Sequence, residues 1–263
     1  MTLPRINRFL KLFVVLLACP FLVACQATET TPLEPTSTSA PTQTPVPSAT
    51  INWFPATATK SSPTETPVSI QISPEPPTGN DILIEDDFSD ETLWQTRNEA
   101  DARISFEPNA LSVVVSGEKT EASSISTHTL PDTFFLEVTI ETTLCSNDDQ
   151  YGIIFWRNSS SGTYRFWANC QGQIMVDKVL PEGTTRLVNW ESARKFIPNA
   201  PARNVFGIQS GKGQLDFFIN GTYQFSIQTR ANLEGALGVI AQTASDADLT
   251  VRFSNLIVSK PES

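Results

Sequence analysis

Two glutamates on one strand-like run raise the first chemical question. In Phe134-Phe135-Leu136-Glu137-Val138-Thr139-Ile140-Glu141 the acids stand four residues apart, with Thr139 between them. On a strand such residues share a face and lie about 13 Å from one another. Glycoside cleavage needs its two carboxyl groups about 5 Å apart for retention and about 6.5–9.5 Å apart for inversion. Glu137 and Glu141 therefore read as solvated carboxylates on an outer face, and no catalytic residues are assigned. His128, the only histidine, sits among serines and threonines without a Gly-x-Ser-x-Gly turn, so no nucleophilic triad is indicated. Acidic turns at Asp86, Asp87 and Asp90, at Asn147-Asp148-Asp149, and at Asp246 and Asp248 bring calcium into view. Calcium takes six to eight oxygens, and none of these turns has the spacing of a defined loop. They read as solvated turns. Calcium stays open as a ligand, but no metal residue or other cofactor is assigned.

Aromatic and guanidinium side chains offer a different chemistry. Sugar rings stack on aromatic faces while planar polar groups bond their hydroxyls, and both kinds of residue concentrate between Tyr151 and Trp190. Along Thr163–Asn169, alternation puts Tyr164, Phe166 and Ala168 on one face and Arg165, Trp167 and Asn169 on the other. The first set suits a core. Arg165 and Trp167 then look outward, with Arg157 ending the adjacent hairpin strand and Trp190 ending a later one. These four are the candidate ligand contacts. Large aromatics in a β-sandwich are also ordinary core, Arg165 can simply stack on Trp167, and Trp156 can point either way.

The third chemistry is covalent. Leu22-Val23-Ala24-Cys25 follows basic residues and an apolar run from Leu12 to Ala24, and it resembles a bacterial lipoprotein processing site. That resemblance makes residues 1–24 a signal peptide and Cys25 the lipidated first residue of an exported, envelope-anchored chain. The apolar run would rise only about 20 Å as a helix against about 30 Å of hydrocarbon, so a retained span is disfavoured. Export also bears on Cys145 and Cys170, the remaining pair once Cys19 and Cys25 are set aside. In an oxidising compartment they are expected to be bridged; two buried free thiols are the alternative. The full chain carries a net charge of −10, and losing Arg5, Arg8 and Lys11 with the leader makes it more acidic. Such a surface argues against nucleic acid as a partner and against anionic headgroups, leaving the lipid itself as the membrane contact.

Residues 25–80 are dominated by Thr, Pro and Ser, as in Ser73-Pro74-Glu75-Pro76-Pro77. They bury too little to offset chain entropy and are read as a disordered stalk. From Asp81 to Ser263 the pattern is all-β. Strand-like runs begin at Ala110 and recur to Ser259, separated by turn signals such as Ser161-Gly162, Gln171-Gly172 and Asn220-Gly221. About eleven strands in residues 81–263 make one two-sheet sandwich and leave no room for a second folded domain.

Asp86-Asp87-Phe88-Ser89-Asp90 with Trp94, then Tyr151-Gly152-Ile153-Ile154-Phe155, Tyr164-Arg165-Phe166-Trp167 and Phe217-Phe218-Ile219-Asn220-Gly221 follow one another in a familiar order. Together with the closing Val251–Val258 run they resemble a laminin-G-like, concanavalin A-like jelly roll. One departure is Ser254, where many members carry Asp. The resemblance implies two antiparallel sheets. It hosts lectins, carbohydrate-binding modules, glycoside hydrolases and adhesion domains alike. The expectation drawn here is a lipid-anchored, non-catalytic glycan- or polysaccharide-binding module at the cell surface. A glycoside-directed hydrolase or lyase, and an adhesion domain for another protein, are the alternatives.

Overall fold

The computed structural model describes residues 75–76, 81–230 and 233–261. The leader, Cys25 and nearly all of the stalk lie outside the described residues. Among those described the chain is all-β, with fifteen strands: β1 Asp81–Asp86, β2 Arg97–Asn98, β3 Ala102–Glu107, β4 Ala110–Val115, β5 Glu121–Leu130. They continue as β6 Phe134–Leu144, β7 Gln150–Asn158, β8 Gly162–Asn169, β9 Gln173–Leu180 and β10 Gly183–Ser192. The last are β11 Ala202–Gly211, β12 Gln214–Ile219, β13 Thr222–Gln228, β14 Gly235–Gln242 and β15 Leu249–Lys260.

These strands form two antiparallel sheets. One has six strands in the order β10-β9-β8-β7-β14-β5. The other has nine, ordered β13-β12-β11-β6-β15-β4-β3-β2, with β1 added alongside β15. One core fills the space between. Leu136, Val138 and Ile140 of β6 face Tyr151, Ile153 and Phe155 of β7 in it, as period-two alternation requires. The Asn220-Gly221 hairpin has positive φ at both residues (49° and 69°), which suits an Asn-Gly pair in a two-residue connection.

Local departures from alternation aim particular side chains. Trp156 takes φ 49°, and the register of β7 shifts between Phe155 and Asn158. This bulge turns Trp156 inward beside Phe155, where its indole N–H donates to Pro131 O at 2.9 Å. His128 lies in strand β5 and not in a loop. Its Nε2 is 3.3 Å from Asp86 Oδ2, which also accepts the Trp94 indole N–H at 2.7 Å. Asp86 is buried, so its oxygens hold the opening turn onto the sandwich. Asp87 and Asp90 likewise accept from Ser89 and Thr92. Buried Asp149 accepts from Ser146 N and Ala244 N. Among the described residues no three His, Cys, Asp or Glu side chains converge as metal ligands would. Cys145 and Cys170 are paired, with their Cα atoms 5.7 Å apart.

Candidate functional site

The outer face of the six-stranded sheet gathers most of the residues singled out in the sequence. Cross-strand register places Ile240 of β14 beside Gly152 of β7, Gly152 beside Trp167 of β8, and Trp167 beside Met175 of β9. With Ile154 they make an apolar cluster separate from the main core, and half-buried Ile125 and Trp190 pack against it. Two glycines make this possible. A Cβ at Gly152 would stand 1.9 Å from Phe166 O, and one at Gly238 would meet Ile125 Cδ1 at 2.7 Å. Bare backbone at the centre of the sheet leaves the room that neighbouring large side chains fill.

Above this floor lies Arg165. Its Nε and Nη2 donate to Asp177 Oδ1 and Oδ2 at 2.8 and 2.6 Å, a bidentate pair between β8 and β9. Nη1 is 3.5 Å from Glu121 Oε2, at the start of β5 on the opposite edge. The guanidinium carbon stands 4.9 Å from the centre of the Trp167 ring. One cation is thus held between two carboxylates and stacked on an indole.

This arrangement corrects one expectation. Trp167 is on the outward face, as alternation required, but it is not an exposed platform: its relative exposure is 1%. Met175, Ile240 and Ile154 surround it and Arg165 stacks on it. Its Nε1 is buried without a hydrogen-bond partner. A donor in that state costs about 1–3 kcal/mol. Trp190, at the β10 edge, keeps more surface. Arg157 does not join the cluster. It is exposed near the β7–β8 turn and lines a separate cleft of about 460 Å³ with Asn158, Thr163 and Leu180. The Glu137 and Glu141 pair belongs to β6 in the other sheet. There Glu141 is bonded to Arg252 at 2.9 Å, and burial pushes the Glu137 carboxyl above the usual carboxylate range.

Sequence reasoning did not pick out Asp177 and Glu121. Asp177 left a trace, being a carboxylate inside the apolar run Ile174-Met175-Val176 followed by Lys178 and Val179. Glu121 left none, because only the register of β5 brings it to this face.

Two antiparallel sheets around one core, with this stacked and charged outer face, define a jelly-roll β-sandwich. No protein-family model matches the chain, and no curated protein matches it in sequence. Solved structures match in fold. The GlcNAcα1-4Gal-releasing endo-β-galactosidase from Clostridium perfringens aligns at 12% identity over 72% of this chain and 64% of its own, with a TM-score of 0.53. A variant of LamA from Zobellia galactanivorans, in complex with laminaritriose and laminaritetraose, aligns at 11% identity over 69% of this chain and 100% of its own, with a TM-score of 0.51. A carbohydrate-binding module from Bacillus subtilis aligns at 12% identity over 64% of this chain and 95% of its own, with a TM-score of 0.48. At these identities the likeness is one of fold.

Proposed function

We propose that the chain is an exported lipoprotein, anchored through Cys25, that displays a non-catalytic glycan-binding sandwich. The observation that carries this reading is the outer face of the six-stranded sheet. It is an apolar cluster sealed at Trp167 but open at half-buried Trp190 and Ile125, with Arg165, Asp177 and Glu121 beside it. Carbohydrates present apolar C–H faces and hydroxyls together, and such a face supplies a counterpart to each. The fold neighbours act on or bind glycans by their own descriptions, and this agrees with the proposal. The test is calorimetric titration of the full chain with a panel of oligosaccharides, for wild type and Trp190→Ala. Binding by the wild type, lost in Trp190→Ala without a fall in thermal stability, supports the reading. Silence across the panel overturns it and favours an adhesion role. Labelling with a radioactive fatty acid tests the anchor: incorporation abolished by Cys25→Ser is expected, and incorporation unaffected by that change rejects lipidation at Cys25.

A hydrolase is the second reading, favoured by one observation: Glu121 and Asp177 bracket the same face. Arg165 donates to both oxygens of Asp177, however, and so occupies the lone pairs that a nucleophile or general base would use. Reducing-sugar release from any glycan that binds, absent in Glu121→Gln, would replace the binding module with an enzyme.

A further inference from the structure

Beside the apolar floor, two residues further along each strand, lies a second band whose chemistry is more particular. Glu121 of β5 is the register partner of Gln242 of β14, Gln242 of Gln150 of β7, and Gln150 of Asn169 of β8. Asn169 Nδ2 then donates to Gln173 Oε1 of β9 at 2.9 Å, and Gln173 is the register partner of Ser192 of β10. Four carboxamides therefore stand side by side on four adjacent strands, one per strand. Their inward neighbours Ala241, Tyr151, Ala168 and Ile174 are core, so all four lie on the outer side of the sheet, where the three glutamines are half-buried and Asn169 is covered. With strands about 4.8 Å apart, the four span roughly 15 Å across the sheet.

The amides are not equally committed. Asn169 is fixed: its Oδ1 accepts from Gln171 N at 3.1 Å and Gln173 N at 2.9 Å. Among the described residues no hydrogen bond engages the side chains of Gln150 and Gln242, and both are half-buried. Each offers two N–H donors and one carbonyl acceptor in a plane, the complement of a sugar hydroxyl that both gives and takes. A carboxylate or sulfate on the ligand would need a cation instead. Arg165 of this face is already held by Asp177 and Glu121, and the chain as a whole is at −10.

Building on the glycan-binding reading above, we infer that the ligand is a neutral, linear polysaccharide lying across the strands, its hydroxyl edge on Gln242, Gln150 and Gln173. Its C–H faces rest on half-buried Trp190, which edges the sealed Trp167 cluster beside that row. One strand spacing is close to the advance of one ring in an extended chain of pyranoses, so neighbouring sugars meet Gln242 and Gln150, and a ring two places on meets Gln173. Gln150 and Gln242 are the specificity-determining residues. They read hydroxyls and leave an anionic group without a partner.

The full chain is titrated with neutral linear hexasaccharides (cellohexaose, laminarihexaose, xylohexaose) and with anionic ones (hexagalacturonate and a heparin hexasaccharide). Wild type is expected to bind at least one neutral hexamer, with affinity unchanged between about 50 and about 500 mM salt. Gln150→Ala with Gln242→Ala is expected to weaken that binding about tenfold or more, from the loss of two or more hydrogen bonds, with thermal stability unchanged. Gln150→Glu is the second variant and should weaken it too, leaving anionic sugars unbound. Neutral binding that survives all these changes overturns the inference while the glycan-binding reading stands. So does preference for an anionic hexamer that fades with salt. No binding to any sugar overturns both.

Discussion

The Arg165–Asp177 pair permits a quantitative test of how the candidate face is closed. The Asp177 side chain is 4% exposed and that of Arg165 16%, so both charges are largely withdrawn from water. Replacing Arg165 by Met keeps much of its apolar length but leaves the Asp177 carboxylate buried without its bidentate partner. Breaking such a pair from one side costs about 3–5 kcal/mol, whereas replacing both members by apolar residues is close to neutral. Arg165→Met is therefore expected to lose about 3–5 kcal/mol, Asp177→Leu a similar amount, and the double variant to return within about 1–2 kcal/mol of wild type. For a domain of this size each kcal/mol moves the melting temperature by about 2–4 °C, so each single variant should melt roughly 6–20 °C lower. Urea unfolding with equal m-values for all four proteins is the assay. An Arg165→Met cost below about 1 kcal/mol would refute the reasoning. The guanidinium would then be solvated in solution, and Trp167 would lie open and not sealed.

Other consequences are as direct. Gly152→Ala places a methyl group 1.9 Å from Phe166 O in the adjoining strand, so β7 and β8 must part; a loss of about 3 kcal/mol or more is expected in denaturant titration. Reduction of the Cys145–Cys170 link, which spans 25 residues of sequence, should cost about 3 kcal/mol; an unchanged melting temperature under reductant would mean that the link does not form in solution. Glu137 is raised by burial, so the folded state holds its proton to higher pH than the unfolded chain. Stability from this group is therefore present below the ordinary carboxylate pKa and lost as pH rises through the raised one. Glu137→Gln should melt above wild type at neutral pH and converge with it below about pH 4.

The sandwich was legible where each residue's neighbours in sequence decide its fate. Alternation in Leu136–Glu141 assigned its two faces correctly, and Asn220-Gly221 announced a hairpin that both positive φ values complete. Strand β5 was not legible. Glu121–Leu130 offers Ser124 and Ser126 at inward positions where a reader looks for larger apolar residues. Ser124 is tolerated there because its hydroxyl donates to Gln95 O at 2.7 Å. The burial of Trp167 was equally out of reach. It depends on a carboxylate ten residues later, on another at the far sheet edge, and on two glycines whose bare backbone becomes meaningful only in register. Trp156 shows the remaining gap, since one residue in the left-handed region reverses which way an indole points.

The pairing of β1 with β15 has a mechanical consequence. Asp81, the first residue of the first strand, is the register partner of Lys260, the last of the final strand. The two run antiparallel, so the ends of the sandwich emerge from the same end of one ladder. Tension applied between those ends opens that ladder one hydrogen bond at a time, the weakest direction in which an antiparallel pair can be loaded. Tension between Asp81 and something gripped by the six-stranded sheet takes a different path. It must pass through β15 and β6 and across the apolar core, so the β1–β15 pair is no longer the sole element resisting it. In either case β1 is joined to its sheet through β15 alone, so that ladder carries the load and is the part of the domain expected to give first.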